Sequence, residues 1–244
     1  MRFDGRRFVV TGAASGIGRA IARLAHAEGA RLVAVDVDAA GLESLGGELG
    51  GGRFESVELD LRDGAAADAA GAALGEVEVL VNNAGISDRF TPTAETTDEL
   101  WDRVLAVNLF AAFRLSRAVL PGMVERGGGA IVNTASVAAV SGGAGGAAYT
   151  VSKHGLLGLT RAMAAEYGPR GVRVNAVLPG AIRTPMTSSP EALVEGADAA
   201  IEATTAGRWA EPEEVAKVTL FLAGEEASFV HGSAYLVDGG WTLV

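Results

Sequence analysis

Short, continuous apolar runs alternate along this chain with longer stretches in which apolar residues return every three or four positions. Arg7 to Thr11 carries Phe8-Val9-Val10, an apolar run of strand length that suits a strand covered on both faces. Gly16 to Gly29 follows, with Ile17, Ile21, Leu24 and Ala25 at helical spacing, and Arg31 to Asp36 is a second strand of the buried type. The chain therefore opens β-α-β, the unit that requires a parallel sheet and a right-handed crossover. The alternation predicts further strands over Phe54–Leu59, Val77–Val81, Ala130–Thr134, Val172–Val177 and Ala234–Val237. Helices are expected over Ala65–Leu74, Thr97–Arg126 (with a break near Asn108), Tyr149–Tyr167 and Pro212–Leu222. Seven strands separated by helices, with no linker and no repeat, indicate one doubly wound α/β domain over residues 1–244. The exception is polar, alanine-rich and weakly periodic from Ser188 to Gly207. With its flanks, at about 186–209, it reads as a mobile helical flap over a substrate site.

Composition narrows the class of protein. Hydrophobic residues make up 49%, aromatics 6%, and there are 34 glycines, a mix that suits an α/β protein with many tight turns. The formal charge of −10 leaves no basic stripe to neutralise phosphates, so no nucleic-acid partner is expected. Cysteine is absent, which excludes disulfides and thiolate metal sites and fits a reducing compartment. No secretory apolar segment follows Met1-Arg2-Phe3-Asp4-Gly5, and no apolar run approaches the ~20 residues of a membrane span. The expectation is a cytoplasmic protein without membrane contact. His26, His154 and His231 are scattered with no partner at ligand spacing, so no metal site is expected.

The candidate chemistry begins at the first strand-to-helix junction. Thr11-Gly12-Ala13-Ala14-Ser15-Gly16-Ile17-Gly18 has the spacing G-x-x-x-G-x-G. Glycines there let the backbone turn sharply and approach a pyrophosphate, while the helix N-terminus offers free N–H groups. Asp36 closes the second strand, where a carboxylate accepts from ribose hydroxyls and repels a 2′-phosphate. Neither Ser15 nor Val37 is a cation, so NAD(H) is expected in preference to NADP(H). Further on, Tyr149 and Lys153 stand at i and i+4, which puts a phenol and an ammonium on one helix face. A neighbouring cation favours the phenolate, so the pair can act as an acid or base. Ser136 lies thirteen residues upstream of the tyrosine.

Taken in order, these residues resemble a single-domain short-chain dehydrogenase/reductase. The motifs are Thr11 to Gly18, Asp60-Leu61, Asn82-Asn83-Ala84-Gly85, Asn108, Ser136, Tyr149 with Lys153, Pro179-Gly180 with Thr184, and Val237-Asp238-Gly239-Gly240. The resemblance covers essentially the whole chain and implies a Rossmann-type fold with a seven-stranded parallel sheet. It implies that Tyr149 exchanges a proton with the substrate oxygen and that Lys153 lowers the tyrosine's pKa and binds the nicotinamide ribose. Ser136 would polarise the carbonyl, and Asn108 would hold a water linking Lys153 to solvent. The nucleotide would lie on Gly12, Ser15, Gly16, Ile17, Gly18 and Asp36, with Asp60 and Leu61 flanking adenine. Asn83, Ala84 and Gly85 would support the adenosine ribose, while Pro179, Gly180, Ile182 and Thr184 would take the carboxamide side.

The substrate end is less defined. Ser141 to Ala148 is built almost wholly of small residues, which suggests a roomy, weakly polar wall. Candidate contacts are Ser87, Arg89, Val137, Gly143, Met186 and Trp209. The stretch from Asp60 to Asn82 is shorter than such proteins usually spend, so Gly64 to Gly75 should be a truncated helix at the sheet edge. The leading expectation is a secondary alcohol/ketone oxidoreductase for a small, largely uncharged substrate. The alternatives are a 3-oxoacyl-thioester reductase and a dinucleotide-binding regulatory protein without turnover. Helices from Thr97 and from Tyr149 are expected to pair across a two-fold into a homotetramer, with Ala148, Gly155 and Gly158 allowing close approach.

Overall fold

The structure is a computed structural model that describes residues 1–188 and 197–243. Seven parallel strands form one sheet in the order β3-β2-β1-β4-β5-β6-β7. They are β1 (Arg7–Thr11), β2 (Arg31–Asp36), β3 (Phe54–Glu58), β4 (Val79–Asn82), β5 (Gly129–Thr134), β6 (Val172–Pro179) and β7 (Ala234–Val237). The helices are α1 (Gly16–Ala27), α2 (Ala39–Leu49), α3 (Gly64–Ala73), α4 (Asp98–Leu105), α5 (Ala111–Glu125), α6 (Ala147–Tyr167), α7 (Pro185–Ser188), α8 (Ala197–Glu202) and α9 (Pro212–Ala223).

The period of two within each strand sorts side chains onto two cores. On β1, Phe8 and Val10 face α1, α2 and α9, while Val9 faces the layer of α3, α5 and α6. On β5, Ala130 and Val132 join the first core and Ile131 the second. The strand order reverses between β1 and β4, since β1 pairs with β2 on one side and with β4 on the other. That reversal opens a crevice at the carboxyl ends of the strands, where ligands bind in such sheets.

Most expected elements form, with informative differences. Helix α2 has no counterpart in the apolar pattern, because Gly41, Gly46 and Gly47 interrupt it and only Leu42 and Leu45 are buried. Its start is fixed by Asp38, whose side chain accepts from the Gly41 N–H at 3.0 Å. The fourth strand begins two residues later than expected, at Val79. The long helix over 97–126 is two helices, α4 and α5, joined by a π-helical turn at Ala106–Phe110 with Asn108 at its centre. Helix α3 lies on the sheet face rather than at the edge. Ala67 shares a core with Val9, Val33 and Leu115, and a Cβ at Gly71 would stand 2.7 Å from Ala118 of α5.

The segment Asp98–Glu125 is long and apolar enough by composition to cross a membrane, with mean hydropathy 1.4 over its best window. Its Ala111, Leu115, Val119 and Met123 are spent on the sheet core instead. Of the expected flap, α7 and α8 are described, and residues 189–196 lie outside the described residues. Two of the residues expected at a subunit contact point inward: Ala148 is fully buried, and a Cβ at Gly155 would meet Leu109 at 2.8 Å. Gly158 alone of the three has open space beside it.

Candidate active site

The crevice is a cleft of about 760 Å³ walled by the ends of β1, β2, β4, β5 and β6 and the loops that follow them. At one end it is lined by Gly12, Ser15, Gly16 and Ile17. Gly12 and Gly16 hold φ of +67° and +52°, the left-handed region that glycine enters without strain. A Cβ at Gly12 would lie 2.9 Å from the Ala84 Cα, so glycine is also required for β1 and the loop after β4 to meet. Gly18 is not in the wall but beneath it, where a Cβ would fall 1.9 Å from the Gly12 carbonyl oxygen. Asn83 braces the same loop: Nδ2 donates to the Thr11 carbonyl at 3.0 Å, and Thr11 Oγ1 accepts from the Asn83 and Ala84 N–H groups at 3.0 Å. Ser15 starts α1 without a side-chain cap, so the first-turn N–H groups keep their pull on an anion. A glycine cradle opening on an uncapped helix fits a dinucleotide pyrophosphate.

Asp36 lines the cleft at the tip of β2. Its carboxylate accepts from the Ala14 N–H at 2.9 Å and the Asp38 N–H at 3.1 Å, which fixes its direction. Asp60 and Leu61 also line the cleft. Arg62 holds Asp60 through Nε at 2.9 and 2.8 Å, and that hydrogen bonding keeps the Asp60 carboxyl below its usual range. On the far wall Pro179, Gly180, Ile182 and Thr184 follow β6. A Cβ at Gly16 would come within 3.2 Å of Thr184, so the two walls nearly touch there.

At the other end the cleft receives Ser136, Tyr149 and Lys153. Ser136 is the second residue past β5, and its Oγ accepts from the Ala138 N–H at 3.1 Å. Lys153 is 3% exposed, donates from Nζ to the Thr134 carbonyl at 2.9 Å, and lies 5.5 Å from the centre of the Tyr149 ring. Burial lowers its pKa to about 8, so it is still mainly cationic at neutral pH. The Tyr149 phenol is pushed above its ordinary value by burial; a hydrogen bond with Ser136 pulls it down and the charge of Asp88 pushes it up. The ammonium is engaged with a carbonyl, and desolvation of the phenol dominates. Asn108, 1% exposed, stands behind the wall. Its Oδ1 accepts from the Ile86 N–H at 2.8 Å, and its Nδ2 donates to the Ile86 carbonyl and Ser152 Oγ, both at 3.0 Å. Gly85 lies between it and Lys153, since a Cβ there would be 3.4 Å from both.

Of the substrate candidates, Ser87, Arg89 and Met186 line the cleft. Three do not. Val137 is buried at 2% exposure, Gly143 sits in a loop turn with φ +83°, and Trp209 turns its Nε1–H to Asp198 at 2.9 Å. The glycines before Tyr149 also have another explanation than a roomy wall. A Cβ at Gly145 would strike the Tyr149 ring at 2.6 Å, and one at Gly146 would strike the Asp88 carboxylate at 2.6 Å. The cleft also recruits Arg62, Ile86, Arg103 and Val107, which sequence reasoning did not single out. Arg103 and Val107 are four apart on the α4 path, a spacing visible in the sequence but without chemistry to mark it. Among the described residues no group of three or more His, Asp and Glu could hold a metal ion.

The family profile described as enoyl-(acyl carrier protein) reductase matches residues 12–242. D-threitol dehydrogenase of Mycolicibacterium smegmatis is 42% identical over 248 residues, covering 99% of this chain and 95% of that protein. The 3-oxoacyl-[acyl-carrier-protein] reductase of Thermotoga maritima is 40% identical over 250 residues, covering all of both chains. A Beutenbergia cavernae protein, solved with NADP at low occupancy, superposes with a TM-score of 0.93 at 44% identity, covering 99% of this chain and 98% of its own. With the sheet order, glycine cradle and Ser-Tyr-Lys cluster, these likenesses define the class: the chain belongs to the short-chain dehydrogenase/reductase family. It is an enzyme of that family, an NAD(P)-linked oxidoreductase acting on alcohols and carbonyls.

Proposed function

We propose that this enzyme interconverts a secondary alcohol and a ketone, with NAD(H) as its preferred cofactor and Tyr149 as its acid/base. The observation that carries the reading is the convergence of Ser136, Tyr149 and Lys153 on the same cleft into which the Gly12–Ile17 cradle opens. A bound nicotinamide supplies the hydride chemistry, and the protein must supply alignment and the proton. Tyr149 gives its proton to the carbonyl oxygen in reduction and takes one from the hydroxyl in oxidation. Ser136 donates to the same oxygen and holds it against the phenol. Lys153 provides the positive field beside the pair and hydrogen-bonds the nicotinamide ribose, and Asn108 supports the proton path behind it.

The NAD(H) preference rests on Asp36, a carboxylate locked by two backbone N–H groups at the tip of β2. A 2′-phosphate beside it would meet a fixed like charge, and the neighbouring Arg62 is already committed to Asp60. The D-threitol dehydrogenase likeness supports a small, uncharged, hydroxyl-bearing substrate. The decisive measurement is a panel of polyols and secondary alcohols assayed with NAD and NADP. Higher kcat/KM with NADP would overturn the cofactor assignment.

The Thermotoga likeness keeps 3-oxoacyl-thioester reduction as a second reading. Against it, the segment 124–129 at the end of α5 holds a single cation, Arg126, and its guanidinium already donates to the Val77 carbonyl at 2.6 Å. One cation beside the anion Glu125 makes no basic patch for an acidic carrier protein. Acetoacetyl thioesters turned over faster than any alcohol or simple ketone would reverse the order. The absence of cysteine supports a cytoplasmic setting.

A further inference from the structure

Helix α6 carries both Tyr149 and Lys153, yet it begins on Gly146, a residue with no side chain to cap it. Its first N–H groups are satisfied from elsewhere in the fold. Asp88, on the loop after β4, is 1% exposed. Its Oδ1 accepts from the Gly146 N–H at 2.9 Å and its Oδ2 from the Tyr149 N–H at 2.9 Å. These are the N-cap and N3 positions, the two N–H groups that a capping box satisfies with two local side chains. Here one carboxylate from a distant loop satisfies both, and its negative charge faces the positive end of a 21-residue helix.

Two further observations tie this residue to the site. Gly146 is glycine because the carboxylate occupies its Cβ position, at 2.6 Å. Asp88 also shapes the loop that enters the cleft: Oδ1 accepts from the Phe90 N–H at 3.2 Å, and its carbonyl accepts from the Thr91 N–H at 3.1 Å. Arg89 and Phe90 are the only non-glycine residues with positive φ among the described residues, both at 55°. Two adjacent strained residues persist only where their surroundings over-determine them, and Arg89 lines the cleft.

We infer that Asp88 is a positioning residue, clamping the first turn of the catalytic helix to the substrate loop so that Tyr149 and Arg89 are held in one geometry. The inference rests on Tyr149 being the acid/base. Because Asp88 acts on the tyrosine's backbone, loss of the clamp should move the phenol rather than the cofactor. A displacement of about 1 Å at a reacting group lowers turnover by as much as ~100-fold.

Asp88→Asn keeps one acceptor oxygen and sets an NH₂ against one of the helix N–H groups. In this variant kcat is expected to fall roughly 10- to 100-fold, while NADH affinity changes less than about twofold. The charged groups facing Tyr149 are Lys153 on its own helix and Asp88 across the loop. Removing the Asp88 charge removes an influence that raises the phenol's pKa, so the rising limb of alcohol oxidation against pH should move to lower pH. A merely structural residue would lower the melting temperature without moving that limb. If Asp88→Asn fails to fold, Gly146→Ala serves instead, because its methyl displaces the carboxylate while leaving the Asp88 charge in place; the same loss of kcat is expected, with a smaller shift of the limb. Wild-type kcat and pH profile in a folded variant would overturn the inference. Tyr149→Phe separates the two levels: if it retains turnover, the reading of the site fails; if it is inactive while the clamp variants behave as wild type, only the role of Asp88 fails.

Discussion

Tyr149 needs more than a lysine four residues away to work near neutral pH. Its phenol is raised by burial and by Asp88 and lowered by Ser136; the sign of its pH dependence follows from the acid/base role proposed for it. Oxidation requires the phenolate and should gain rate as pH rises through the tyrosine's pKa; reduction requires the phenol and should hold its rate below that point. Tyr149→Phe keeps the ring and the helix contacts but has no proton to transfer. It should lower kcat by at least ~100-fold, within the range attributed to acid/base catalysis, with NADH affinity by fluorescence titration nearly unchanged. Turnover within tenfold of the wild type would assign the proton to another group. Lys153 belongs to the same scale. Its ammonium is held by the Thr134 carbonyl, so its position depends on the end of β5 as well as on its own helix.

Among the elements, α1 and its glycine loop depend most on a single missing atom. Gly18 lies within the helix, where alanine would ordinarily stabilise by up to ~1 kcal/mol. That gain is outweighed here, because the added Cβ would sit 1.9 Å from the Gly12 carbonyl oxygen and 2.5 Å from Asn83 Nδ2. Overpacking of this kind costs about 1–3 kcal/mol. Gly18→Ala should therefore lower the thermal midpoint and weaken NADH binding together, since the displaced atoms belong to the cradle. An unchanged midpoint would mean that the loop relaxes freely. The π turn between α4 and α5 is the second such element. It brings Asn108 against Ile86 and Ser152, a register that an uninterrupted α-helix would rotate away.

For the molecule as a whole, the exposed apolar side chains are the guide to assembly. Phe110 and Phe113 on the α4–α5 path are 48% and 43% exposed, and Val151 on α6 is 46% exposed. Exposed apolar side chains on adjacent helices mark an interaction surface, and closed symmetric assemblies are the usual way to cover one. We expect a homotetramer, measurable by multi-angle light scattering. A monomer at micromolar concentration would contradict this, and Phe113→Glu should reduce the assembled fraction without altering Tyr149 chemistry within each subunit.

Much of this organisation was legible in the sequence because it is local. Strand and helix periods, the glycine spacing after β1, Asp36 at a strand end and the i, i+4 pair on α6 are all set within a few residues of each other. Helix α2 escaped because its glycines erase the period that marks a helix. The small residues ahead of Tyr149 were visible, but their reason was not, because it lies in a carboxylate 61 positions away in the chain. Arg62 and Arg103 entered the cleft, and Val137 and Trp209 left it, only when strands from both halves were set side by side. The sequence by itself determined the layered sheet, the glycine turn after β1 and the placing of Tyr149 and Lys153 on one helix face. The tertiary structure alone decided what holds that pair in place, since a buried carboxylate acquires its partners only when distant loops are packed together.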